Sequence, residues 1–324
     1  MTSYDLTQAL IAQAGPSERL LWVNPPDIIG STGTMVVQSM KPAHDRYDIE
    51  TVPCLERVQG QFDRIIMFPP RNRQQQQGWI AQCSKMLSSG GTLNTAQDNT
   101  AGSRSLQKDV ENCFNTVLAE TKHKGRLITA SDPKPPHSLW LSQGNWQSIM
   151  DGNTLSRPGL FAWDRLDRGS SLLIDALPTT FRGLVADFGC GWGALTRHLL
   201  DISPDVETVF AIDADWMAVE AARRNATDPR ARFIWADCTQ PINDLPPLDI
   251  IIMNPPFHDG SREDANDLGA SMIANAAQSL NVGGMLWMVA NSHLPYERIL
   301  DQYFRQVILI SEDQGFKIYA AKRS

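Results

Sequence analysis

Apolar residues in the second half of the chain come in short continuous runs, separated by segments in which they recur every three or four positions. Unbroken runs mark strands buried on both faces, and the helical spacing between them marks crossover helices. The pattern therefore predicts βαβ units on a parallel sheet. The expected order is a strand over 183–189, a helix over 194–202 with Leu195, Leu199 and Leu200 on one face, and a strand over 208–213. A helix over 215–227 follows, with Asp215 at its N-cap, then strands over 232–237 and 248–254. A helix over 265–280, a turn at Gly283–Gly284, a strand over 285–291 and a terminal hairpin of "YFRQVILISED" and "FKIYAAK" complete the half.

The first half runs in parallel. Strands are expected over 19–24, 33–39, 47–52, 62–68 and 91–97, with a helix around 77–87 and a glycine pair at Gly90–Gly91. "GRLITA" (125–130) echoes "FKIYAA". "FDRIIMFPPRNR" repeats the pattern of "DIIIMNPPFHDG" 186 residues earlier, with Phe68 where Asn254 stands. Turn glycines and strand–Pro-Pro elements recurring in one order indicate an internal duplication. Three prolines cluster within "ASDPKPPHSLWLSQGNW" (130–146) and put the boundary there. The expected division is 1–140, a linker over 141–152, and 153–324.

Composition narrows the class without naming a chemistry. With 324 residues and 42% hydrophobic positions, each half is long enough to bury a core. No apolar run approaches the ~20 residues needed to span a bilayer. The N-terminus lacks a basic segment followed by a continuous apolar one, so no signal peptide is expected and the cytoplasm is the expected compartment. Five scattered cysteines without a CxxC or Cys/His cluster support neither a disulfide framework nor a metal site. The net charge of −7 is uneven: residues 1–150 carry 14 Lys+Arg against 13 Asp+Glu, and 151–324 carry 15 against 23. A grip on nucleic acid is therefore expected in the first half, where "RNR" (71–73) and "KHKGR" (122–126) lie.

Two motifs carry chemistry. "DFGCGWGAL" (187–195) follows a strand and opens a helix, where glycines admit a ligand and free N–H groups face it. Gly189, Gly191 and Ala194 satisfy the dinucleotide pattern, and Asp213 at the next strand end suits the ribose of either NAD or S-adenosylmethionine. "NPPF" (254–257) separates the two. An exocyclic base amine is a poor nucleophile because its lone pair is delocalised into the ring. An Asn254 oxygen and the Pro255 carbonyl, accepting its two N–H bonds, would aim that lone pair at a methyl group. Pro256 stiffens the loop, and Phe257 would stack on a base turned out of its helix.

"DFGCGWG…AID…NPPFHDG…VANSHLPY…GFKIYAA" resembles the bacterial tandem-domain rRNA guanine-N2 methyltransferases, the RsmC-like group of class I S-adenosylmethionine enzymes. The resemblance covers nearly the whole chain and is strongest over 153–320. It implies two tandem α/β domains of Rossmann type, each a seven-stranded, mostly parallel sheet, the first degenerate and the second catalytic. It also implies that Asp187, Gly189, Gly191 and Gly193 line the methionine side of the donor, Asp213 binds its ribose and Asp237 sits by its adenine. Cys190, Ala214 and Cys238, beside these in the motifs, complete the implied donor site. Asn254 through Phe257 would form the amine site. Phe161, Arg165 and Asp167, in a segment that folds over the donor in this family, are substrate-side candidates with Asn291; His293 and Tyr296 share the loop of Asn291.

The implied partner is ribosomal RNA or the small ribosomal subunit, met by a monomer without metal. Trp192 departs from the family, which has a small residue there, and the second half is unusually acidic. The first half has Asn24-Pro25-Pro26 where glycines belong and Phe68 in place of the amide, and reads as catalytically dead, with Arg71 and Arg73 as candidate phosphate contacts. Adenine N6 or a protein glutamine amide is the alternative acceptor, Asp259 or water the alternative proton carrier, and a nicotinamide oxidoreductase or a non-catalytic assembly factor the alternative class.

Overall fold

The continuous apolar runs become the inner strands of two sheets with the same strand order. The computed structural model describes residues 3–15, 19–26, 34–135, 137–150, 152–256 and 262–324, leaving aside the side chains of 262–267. It divides into one unit of Met1–Gln147 with Ser156–Gly159 and another of Ser148–Leu155 with Leu160–Ser324.

In the first unit the elements are α1 (Tyr4–Ile11), β1 (Leu20–Val23), β2 (Met35–Val37), α2 (Lys41–His44), β3 (Thr51–Val52) and β4 (Phe62–Met67). Then come α3 (Arg73–Met86), β5 (Leu87–Asp98), α4 (Ser103–Cys113), β6 (Phe114–Lys122), β7 (Gly125–Pro133) and α5 (Ser138–Gln143). The sheet order is β3-β2-β1-β4-β5-β7-β6, with β7 antiparallel to both its neighbours and the rest parallel. β1 is buried at every position, as a central strand covered on both faces must be. A short ladder of β8 (Gln147–Ile149) and β9 (Thr154–Ser156) follows.

The second unit contains α6 (Arg168–Ala176), β10 (Gly183–Phe188), α7 (Ala194–Ile202), β11 (Val206–Asp213), α8 (Trp216–Asn225) and β12 (Ala231–Trp235). It continues with β13 (Leu248–Met253), α9 (Arg262–Ser279), β14 (Leu280–Asn291), α10 (Glu297–Tyr303), β15 (Phe304–Asp313) and β16 (Phe316–Arg323). Its order is β12-β11-β10-β13-β14-β16-β15, again parallel except for β16. Helices cover both faces: Leu195, Leu199 and Leu200 of α7 pack with Val185 and Val209 on one side, and Met272, Ile273 and Ala276 of α9 with Ile251 and Leu286 on the other. Strand order reverses between β10 and β13, and a crevice opens beyond the carboxyl ends of strands at such a switch point.

Some elements differ from the pattern reading. The expected turn at Gly283–Gly284 is an excursion within β14, which starts at Leu280: pairing with β13 jumps from Leu248–Leu280 to Ile250–Met285, with Gly283 at φ +82°. α1, α4 and α10 are further elements the apolar pattern leaves out: α1 is a short helix burying Leu6 and Leu10, α4 buries Ser103, Leu106, Asp109, Val110 and Cys113 on a face that mixes polar with apolar residues, and α10 buries Leu300 in seven residues. β6 was invisible for a similar reason: it is an exposed edge strand without an apolar run.

Candidate active site

β10 ends at Phe188 and α7 begins at Ala194; the turn between them is built on three residues with positive φ, Gly189 (+76°), Gly191 (+54°) and Gly193 (+91°). They do different work. A Cβ on Gly193 would meet Ala222 at 3.1 Å, so this glycine lets the turn pack on α8. A Cβ on Gly191 would meet nothing within 4 Å, so this glycine borders open space that a ligand can approach. Asn225 at the end of α8 braces the turn, donating to the Trp192 and Leu155 carbonyls at 2.8 Å each and accepting the Leu155 N–H at 2.7 Å.

Two carboxylates underlie the turn. Asp213 closes β11 and accepts the Gly191 N–H at 2.9 Å and the Asp215 N–H at 2.8 Å, one on each oxygen. Burial pushes its pKa up to about 6, against the opposing pull of those N–H groups. Asp187 is fully buried on β10; one oxygen accepts the Thr196 hydroxyl at 2.6 Å, and the other has no hydrogen-bond partner among the described residues. Burial pushes it to about 7, with the Thr196 hydrogen bond opposing and the nearby Asp213 charge adding. A buried carboxylate oxygen without a donor is unfavourable unless a donor arrives.

Asp237 follows β12, with one oxygen accepting the Thr239 N–H at 2.9 Å and hydroxyl at 2.7 Å. The Ala214 carbonyl accepts the Trp235 indole N–H at 2.8 Å, and the Cys238 carbonyl accepts Asn275 at 3.0 Å. The Cys190 and Cys238 thiols are buried, and burial holds both well above the ordinary range.

Asn254 stands one residue beyond β13, in a cleft it shares with Asp167, Ser170, Gly189, Cys190, Gly191 and Trp192, with Phe161 at 55% exposure on its wall. Its amide nitrogen donates to an Asp167 oxygen and to the Ser170 hydroxyl, each at 2.8 Å. Its oxygen is buried and has no partner among the described residues. Pro255, next along, is buried. The arrangement offers an accepting oxygen beside a glycine turn open to a ligand.

Asp187, Gly193, Asp213, Ala214, Asp237 and Cys238 are not among the described residues lining this cleft. Phe257 and Asp259 lie outside the described residues. Arg165 is on the surface, bonded to Asp164 at 2.8 Å, and Asn291 accepts the His293 N–H at 3.1 Å where β14 ends; neither lines the cleft. In the first unit Arg71 is exposed. Arg73 is exposed as well, and its guanidinium also binds the buried Asp109 through two bonds of 3.0 and 3.2 Å, the cation which that carboxylate needs to be buried. Ser170, Thr196 and Asn225 escaped the sequence reading. The signal for Ser170 was present, since "DRGS" before an apolar run is an N-cap pattern, and Asp167 does cap α6 through the Ser170 N–H at 3.0 Å.

Strand register pairs the two units. Asn24, Gln38 and Phe68 of the first occupy the places of Gly189, Asp213 and Asn254 of the second. Gln38 is spent on its own backbone, donating to the Pro25 carbonyl at 3.2 Å and accepting the Met40 N–H at 3.1 Å. Among the described residues no group of three or more His, Cys, Asp or Glu side chains could hold a metal, and no helix is long and apolar enough to cross a membrane.

Comparison with known proteins bears on this arrangement. Residues 151–320 match the model of the methyltransferase small domain. The ribosomal RNA small subunit methyltransferase C of Shewanella sediminis is 30% identical over 272 residues, 81% of this chain and 77% of its own. The protein of that name from Yersinia enterocolitica is 30% identical over 80% of this chain and 74% of its own. The fold matches that of a 16S rRNA N2 methyltransferase of T. thermophilus, solved with AdoMet and guanosine, at a TM-score of 0.84, covering 99% of this chain and 92% of the other at 21% identity.

Proposed function

Because this chain belongs to the methyltransferase small-domain family and to the ribosomal RNA small subunit methyltransferase C group within it, we propose that it methylates the exocyclic N2 amine of a guanine in small-subunit ribosomal RNA. The observation that carries the reading is the Asn254 oxygen, buried and without a partner among the described residues at the carboxyl end of β13, beside a glycine turn open to a ligand. S-adenosylmethionine supplies a methyl group made electrophilic by its sulfonium. The residues present fit that donor, because Gly191 leaves room for close approach and Asp187, behind the glycine turn, holds an oxygen without a partner among the described residues that in this reading accepts from the donor's ammonium group.

The chain's own residues then divide the work. Asp213 holds the glycine turn through one lone pair on each oxygen and keeps the others for ribose hydroxyls. Asp237 keeps its second oxygen for the adenine amine. The Asn254 oxygen and the Pro255 carbonyl accept the two N–H bonds of the guanine amine, drawing its nitrogen toward tetrahedral geometry and aiming its lone pair at the methyl group. On taking up the methyl group the amine nitrogen would release one of its two protons to water, with the thioether of the spent donor as leaving group. The amine needs no prior ionisation.

The first unit takes no part in the transfer, since Phe68 offers no amide where Asn254 does. Its share in this reading is to hold RNA, with Arg71 as a phosphate contact. The working form is a single chain in the cytoplasm, where small ribosomal subunits are made. Calorimetric titration with S-adenosylmethionine and with NAD tests the donor: binding of the first alone is expected, and binding of NAD alone would overturn the reading. Assays with small subunits, adenine-only RNA and a glutamine peptide as acceptors separate guanine from the other planar amines.

A further inference from the structure

An asparagine amide presents either its oxygen or its nitrogen to a cleft, depending on a half-turn of its last torsion. For an amine acceptor only one face works: the oxygen accepts an N–H, whereas the nitrogen would bring donor against donor. We propose that Asp167 and Ser170 are positioning residues that lock Asn254 with its oxygen toward the reacting amine, an inference that rests on the function proposed above.

Three observations carry it. Both acceptors meet the amide nitrogen at 2.8 Å, so its two hydrogens have a place each. A carboxylate accepts and cannot donate, so Asp167 is satisfied by the nitrogen of Asn254 and by no other face of the amide. The same Asp167 oxygen also accepts the Ser170 N–H at 3.0 Å, which fixes the carboxylate to the first turn of α6 rather than leaving it free to follow the amide. Gly169 between them keeps the space clear. A Cβ there would stand 3.1 Å from the Asp167 carboxylate, 3.3 Å from the Phe316 ring and 3.5 Å from the Asn254 oxygen. The four residues "DRGS" thus supply a cap, a clearance and two acceptors to a side chain 84 to 87 positions away.

The decisive variant is Ser170→Ala, because the cap of α6 uses the Ser170 backbone and survives the change. Single-turnover methyl transfer to small subunits from cells lacking the enzyme should slow ~10- to 100-fold in Ser170→Ala and in Asp167→Ala, the scale on which misplacing a catalytic group acts. Donor affinity by calorimetry and KM for subunits should stay within ~3-fold, since neither acceptor holds the substrates in this account. Ser170→Thr, which keeps an accepting oxygen, should restore the rate, whereas Asp167→Asn, whose amide can donate to the Asn254 oxygen as well as accept, should stay slow. In an Asn254→Ala background Ser170→Ala should have no further effect, because the two act through one amide.

A normal rate in Ser170→Ala beside a slow Asn254→Ala, or losses that multiply in the double variant, would overturn the lock while leaving the proposed function standing. A normal rate in Asn254→Ala would remove the proposed function and the lock together. Thermal midpoints keep folding apart from positioning: Asp167→Ala loses a helix cap and should melt earlier, whereas Ser170→Ala should melt near the parent.

Discussion

The two units share a strand order and differ in what they do with polar groups at the carboxyl ends of their strands. In the first, Gln38 is satisfied by its own backbone, and Phe68 is buried at 5% exposure where an amide would face the cleft. In the second, Asp187 and Asn254 each hold one buried oxygen without a partner among the described residues. Burying an unsatisfied oxygen costs roughly 1–3 kcal/mol. At the position matching Asn254 the first unit has Phe68 and carries no such cost, whereas the second unit has kept it there, which is what a site that awaits donors requires.

The comparison breaks most visibly at Asn254. Asn254→Ala should reduce the rate of methyl transfer ~100- to 1,000-fold, the range for removing one preorganised hydrogen-bonding group, with donor binding retained. Next is the turn. Gly191→Ala places a side chain at φ +54°, a strain of ~1–2 kcal/mol, and fills space reserved for the donor, so calorimetry should show S-adenosylmethionine affinity falling ~10-fold or more.

A smaller, graded effect is expected from pH. Asp187 is raised from 3.8 to about 7, so the folded protein binds more protons than the unfolded chain across that window. The resulting stability is complete below about 3.8, declines as pH rises and is gone above about 7. Melting of the donor-free protein from pH 5 to 8 should show this decline, and Asp187→Asn should flatten most of it; the remainder belongs to Asp213, raised to about 6. Donor affinity should move the opposite way and strengthen through pH 7, because an ionised Asp187 attracts the donor's ammonium. The smallest effect is expected in the first unit, where Phe68→Leu should leave the transfer rate unchanged while lowering the melting midpoint through a modest packing loss.

Much of the fold was legible because strands buried on both faces announce themselves as apolar runs, and because the duplicated glycine and Pro-Pro signals recur in order. α4 left no such trace because its buried face mixes Ser103 and Asp109 with Leu106, Val110 and Cys113, and α10 because it buries Leu300 in a helix of only seven residues. The expected site residues cluster unevenly for a related reason. Sequence spacing finds groups that stand at strand ends, as Asp187, Asp213 and Asn254 do. It does not say which oxygens are already spent. Arg73 is the surface cation it read as, and it also serves Asp109, a partner 36 positions away that no local pattern reveals. Ser170 was overlooked although its N-cap pattern is local, because a serine beside a capping aspartate looks sufficiently explained by the helix.

The most direct test maps modified nucleotides by mass in small-subunit rRNA from a strain lacking the protein and complemented in turn by the parent chain, Asn254→Ala and Phe68→Leu. The account predicts one N2-methylguanine that disappears in the deletion, returns with the parent and with Phe68→Leu, and stays absent with Asn254→Ala. Full methylation in the Asn254→Ala strain, or no methyl group lost in the deletion, would contradict it.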